Sequence, residues 1–174
     1  MSLSLPAART AVVDALAQLP ASYDTPAARI MLLAIGLQES NFQYRRQLVG
    51  SPPKPVGPAR SYWQAELGGG LVRGVRTHAK TKELAAQLYA RHAVAATDLA
   101  IWTAIENNDL LAAALARLLL FTDPYKLPSV GDVEGAWQLY LRTWRPGAYT
   151  RGDDAQKAAL RVKWSANYSR ARSE

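Results

Sequence analysis

Twelve consecutive residues, Leu110 to Phe121, carry a single polar side chain, Arg117. Wound as a helix, such a run is apolar on every side, and a helix of that kind belongs in the centre of a domain. A second stretch, Ala27 to Ser40, places Ile30, Leu33, Ala34 and Leu37 so that apolar positions again cover most of the circumference. A chain of 174 residues has length for one domain with a real core. The two runs therefore predict an all-α domain spanning 1–174, with little or no β, in which these helices pack together at the centre.

Amphipathic helices complete the expectation. Leu5 to Leu19 has helical apolar spacing and stops at Pro20; Thr25 and Pro26 read as cap and first position of the central helix. Short helical turns are expected over Leu71 to His78, then helices over Thr81 to Arg91 and His92 to Ile105, with Asn107, Asn108 and Asp109 breaking the pattern and capping the next run. Asp132 opens a helix through Val133, Ala136, Trp137, Tyr140, Leu141 and Trp144, which Arg145, Pro146 and Gly147 end. Between Gly50 and Arg60 stand four prolines and two glycines, so no helix passes there, and the segment reads as the stiff lip of a cleft. Gly36, inside a helix where it costs about 1 kcal/mol relative to Ala, implies close approach of a neighbour or ligand. Gly68, Gly69 and Gly70 imply unusual backbone angles or tight contact.

Charge narrows the partners. The net charge is +7, and residues 145–174 hold seven basic against three acidic side chains, so this stretch is expected to be a basic, helical C-terminal extension attracting an anionic polymer. Without cysteine, and with only His78 and His92, the chain offers neither disulfides nor a thiolate or histidine-rich metal site, and no metal or cofactor is expected. No signal peptide and no long apolar run are visible, which predicts cytoplasmic synthesis without membrane insertion. Five Trp and eight Tyr against two Phe favour residues with a polar edge that stack on sugars or fill a core.

The chemistry concentrates in two acids. Glu39 ends the buried helix, where the negative end of the dipole and partial burial both push a carboxyl pKa upward, as a general acid requires. The alternative is a surface Glu bonded to Arg45 or Arg46. Glu66 follows Ser61, Tyr62, Trp63, Gln64 and Ala65 across the proline-rich loop. Two carboxylates across a cleft are the machinery of glycosidic hydrolysis. Tyr62 and Trp63 are candidates to stack on a sugar or to floor the cleft, and Gln64 to hydrogen-bond it. His78 and Tyr125 are weaker contacts, with a helix-end cap and a turn as their structural alternatives; Asp123 shares the expectation made for Tyr125.

The segments Leu37–Phe42 and Gly57–Glu66 resemble the lysozyme superfamily, in particular goose-type lysozymes and soluble lytic transglycosylases, whose pattern joins a Glu-Ser at a buried helix end to a Gly-Ala-Gly-Leu-Met-Gln-like segment. The resemblance covers residues 30–70 and implies a lysozyme-like helical fold. It implies Glu39 as general acid, Ser40 beside it as a substrate contact, Gln64 in the substrate groove and Glu66 as a second acid. Cleavage would fall on the β-1,4 bond between N-acetylmuramic acid and N-acetylglucosamine. Such domains occur in phage endolysins and virion-associated proteins, which implies a monomer that meets peptidoglycan after a membrane lesion or from a virion. Trp63 stands where Leu-Met is usual, and the later Ala-Tyr-Asn-Ala-Gly-like motif is replaced by Ala114 to Leu119, a departure that favours a hydrolase over a transglycosylase. Two other readings remain: a catalytically silent cell-wall-binding or phage structural protein on the same frame, and a nucleic-acid binder, which only the charge suggests and which is not expected.

Overall fold

The computed structural model describes residues 2–173 and is mostly helical with one small sheet. Its elements in chain order are α1 (Leu5–Leu16), α2 (Pro26–Glu39), β1 (Arg46–Val49), β2 (Lys54–Arg60), α3 (Val75–Thr77), α4 (Lys82–Arg91), α5 (Asp98–Ala104), α6 (Asp109–Thr122), α7 (Val133–Trp144), α8 (Gly147–Arg151) and α9 (Asp154–Arg172). Caps fall where short polar side chains precede apolar runs. Thr25 Oγ1 accepts from the Ala28 N–H, Asn108 Oδ1 from Leu111, and Asp132 Oδ1 from Gly135. Asp153 and Gln156 close a reciprocal capping box at the start of α9.

Both apolar runs are central. α2 is buried continuously from Ile30 to Gln38 and α6 from Leu111 to Leu120. The two touch, but neither is the other's main neighbour: α2 lies chiefly along α9, and α6 along α1. That corrects the expected pairing; the C-terminal stretch is helical, as expected, and packs against the body. α9 is a layer of the core, with Trp164 and Ala171 fully buried, Tyr168 nearly so, and Asn167 Nδ2 donating to Gln38 Oε1 at 2.9 Å. Trp164 stacks on Tyr140 with centroids 4.9 Å apart and also meets Trp137 and Tyr168, so an aromatic cluster fastens α9 to α7.

Three local differences have physical causes. The proline-rich segment is half strand: β2 pairs antiparallel with β1, Arg46 opposite Arg60 and Val49 opposite Lys54. Prolines are tolerated because each strand of a two-stranded ribbon has a free edge. Residues 92–97 are not helical. Ala93 takes a left-handed φ of 52°, and Thr97 caps the short α5 through the Ala100 N–H at 3.2 Å. Gly70–Gly74 forms a π-helical turn that runs into α3; Gly70 approaches Leu119, whereas a side chain at Gly68 would meet open space, and Gly68 has no positive φ. No described helix is long and apolar enough to cross a membrane.

The neighbour implied at Gly36 is Phe42. A Cβ at position 36 would overlap the Phe42 ring, which is 1% exposed and wedged edge-on to Tyr62 and Trp63. Gly36→Ala should gain up to about 1 kcal/mol of helix propensity and lose roughly 1–3 kcal/mol to overpacking. We expect a net loss near 1 kcal/mol and a fall in Tm of about 2–4 °C in thermal melts; an unchanged or higher Tm would show that the Phe42 ring gives way freely.

Candidate active site

Glu39 is the last residue of α2, and the chain beyond it is held in a tight, costly turn. Asn41 and Phe42 both have left-handed φ angles, 51° and 55°. Ser40 Oγ donates to the Tyr62 carbonyl oxygen at 2.8 Å and accepts from the Phe42 N–H at 3.1 Å, joining this turn to the segment after β2. That segment is equally constrained. Arg60 and Ala65 exchange backbone hydrogen bonds around a loop in which Ser61 and Gln64 have φ of 65° and 51°. Non-glycine residues in this region cost free energy and persist only where surroundings over-determine them. Three indoles supply the constraint. Trp63 Nε1 donates to the Leu32 carbonyl at 2.9 Å, Trp144 Nε1 to the Trp63 carbonyl at 3.0 Å, and Trp102 Nε1 to the Pro58 carbonyl at 3.0 Å.

The two turns border a cleft of about 690 Å³ lined by Glu39, Gln64 and Glu66, with Tyr44, Gln47 and Leu48 from the β1 side and Tyr140, Trp144 and Arg145 opposite. Glu39 is only partly accessible there. Tyr140 Oη donates to Glu39 Oε1 at 2.6 Å, and Lys163, on α9, donates its Nζ hydrogen to the Gln38 carbonyl oxygen at 2.5 Å. Burial pushes the Glu39 pKa up to about 7, against the opposing pull of the Tyr140 hydrogen bond and the Lys163 charge. Lys163 itself is pulled below the ordinary lysine range by burial. Glu39 is therefore divided between acid and carboxylate near neutral pH and can give up a proton to a group in the cleft.

Glu66 is exposed and lines this cleft together with a second one of about 970 Å³. Gln64 reaches the first cleft while its Nε2 donates to the Ser61 carbonyl at 2.8 Å. The chain matches no family model, and no curated protein or solved structure matches it.

Other residues read as sugar contacts lie elsewhere. Tyr62 and Trp63 are 0% and 1% exposed, so neither ring is a stacking platform; their apolar bodies fill the core beside Phe42. Ser40 is buried and spends its hydroxyl on the turn. His78 lines the second cleft and accepts the Lys80 N–H on Nδ1 at 3.2 Å, a bond within its own turn. Tyr125 lines neither cleft; it is 68% exposed, with the Arg142 guanidinium 4.9 Å from its ring centroid. Asp123 faces the second cleft, bound by Arg142 at 2.8 and 3.1 Å. Arg45 is paired with Asp109, not with Glu39. Among the described residues no group of three or more His, Cys, Asp or Glu is arranged to hold a metal ion.

Proposed function

We propose that the protein is a peptidoglycan-cleaving glycosidase of lysozyme-like architecture with Glu39 as its general acid. The observation that carries this reading is a carboxyl group at the wall of a cleft, buried enough to hold its proton near pH 7 and fixed by Tyr140. Protonated Glu39 donates to the glycosidic oxygen between N-acetylmuramic acid and N-acetylglucosamine. The C1–O bond breaks through an oxocarbenium-like state, water adds its hydroxyl to C1, and the proton that water loses passes to Glu66 on the exposed side of the cleft. Gln64 positions the sugar. If the 6-hydroxyl of the muramic ring attacks in place of water, the product is an anhydro sugar and no water is consumed.

A general acid works only while protonated, so the reaction should follow the protonated fraction of Glu39. On purified peptidoglycan, kcat/KM should fall about tenfold per pH unit above the Glu39 pKa of about 7. A fall already centred near pH 4–5, the range of an unperturbed carboxyl, would remove buried Glu39 from the acid's role.

A further inference from the structure

Arg145 occupies the junction of the two clefts and lines both. It is also the end of α7, in a left-handed conformation with φ 49° and ψ 56°, where glycine is the residue that carries no steric penalty. The other guanidiniums of the second cleft are engaged: Arg142 grips Asp123, and Arg73 Nε donates to Asp98 Oδ2 at 2.7 Å. None of the ion pairs among the described residues includes Arg145 or Arg151, both of which line the first cleft. Arg145 Nε donates to the Arg142 carbonyl oxygen at 3.3 Å, which orients the group and leaves its terminal nitrogens for an incoming anion. A guanidinium fork suits a planar carboxylate, which it binds through two parallel hydrogen bonds.

We infer that Arg145, aided by Arg151, is a binding site for a carboxylate carried by the substrate, supplied by the peptide stems that branch from muramic acid. The inference rests on the proposed glycan-cleaving reading. A glycan strand lying against Glu39 projects its acidic branches sideways. The second cleft opens from the same wall, at Glu66, Gly69, Gly70, Leu119, Thr143 and Trp144, with room for a peptide. Arg145, lining both clefts, stands where glycan and branch would meet.

Binding, not turnover, tests this, with both proteins in the Glu39→Gln background so that no substrate is consumed. Sedimentation with purified sacculi should show Arg145→Gly weakening binding about tenfold, the loss expected for one charge-assisted pair. The same substitution should raise Tm, because glycine sits at ease at φ 49°, so that weaker binding cannot be laid to unfolding. On sacculi whose carboxyl groups have been converted to methylamides, the parent should bind at least as weakly as the Arg145→Gly protein binds untreated sacculi, and the substitution should have no further effect. Equal binding of the two proteins to untreated sacculi, or an Arg145 effect that survives amidation, would overturn the proposal. So would an effect that disappears once hydrofluoric acid has stripped phosphodiester polymers, since phosphate would then be the anion. Glycan cleavage by the wild type with no Arg145-dependent binding would sink this site alone; Arg145-dependent binding without cleavage would sink the chemistry and keep the site.

Discussion

Glu39→Gln is expected to lower the rate of glycan cleavage by about 10²–10⁴, the usual contribution of a positioned general acid, while making the folded protein more stable at alkaline pH. The amide keeps the oxygen that accepts from Tyr140 Oη but has no acidic proton to transfer. The gain in stability follows from the sign of the pKa shift. The folded-state value is raised from 4.5 to about 7, so the folded protein holds a proton that the unfolded chain releases. Stability therefore declines as pH rises between those values, and above pH 7 the ionised Glu39 costs on the order of 3 kcal/mol. The amide of the variant does not ionise. The variant's melting temperature should exceed that of the wild type by several degrees at pH 8 and match it near pH 4. Paired activity assays and melts at the two pH values check both halves. A loss of activity with a matching loss of stability would point to damaged folding.

Trp164→Ala is expected to cost about 3–5 kcal/mol, the range for truncating a large aromatic in a core. Trp164 is 0% exposed, stacks on Tyr140 at 17° between planes, and donates from Nε1 to the Val133 carbonyl oxygen at 3.3 Å. Removing it opens a cavity where α7 meets α9 and unseats the ring whose hydroxyl holds Glu39. Denaturant unfolding should show a lower midpoint, and activity measured where the variant is still folded should fall as well. A cost below about 1 kcal/mol would mean that α9 is a dispensable appendage.

The charge of residues 145–174 suggested an extension that attracts an anionic polymer, and it masked the packing of α9 into the core. Trp164, Tyr168 and Ala171 fall on one face of a helix at three- and four-residue spacing, a signal of burial outweighed by the seven basic residues around them. Glu39 was legible because a carboxylate ending an apolar helix is an exception to the pattern that makes the helix. Tyr140 was not, because it shares the apolar phase of α7 with Trp137 and Leu141, and nothing local distinguishes a buried phenol that reaches a carboxylate from one that fills space. Lys163 was hidden among the other cations of the tail. Tyr62 and Trp63 misled for the opposite reason: their polar edges, suited to a wet cleft, are spent inside the protein, as in the Trp63 indole hydrogen bond to the Leu32 carbonyl. The tight turns at Asn41, Phe42, Ser61 and Gln64 have no glycine to announce them, since tertiary packing holds those residues in left-handed conformations.

The most direct test of Glu39 as a glycan-cleaving acid is mass spectrometry of purified peptidoglycan after digestion, with wild type and Glu39→Gln side by side and both shown to be folded. Wild-type digests are expected to contain new muramic acid termini, reducing if water attacks and anhydro if the 6-hydroxyl does, and these should be absent from the Glu39→Gln digests. Glycan strands left intact by folded wild-type protein, or the same new termini from both proteins, would contradict it.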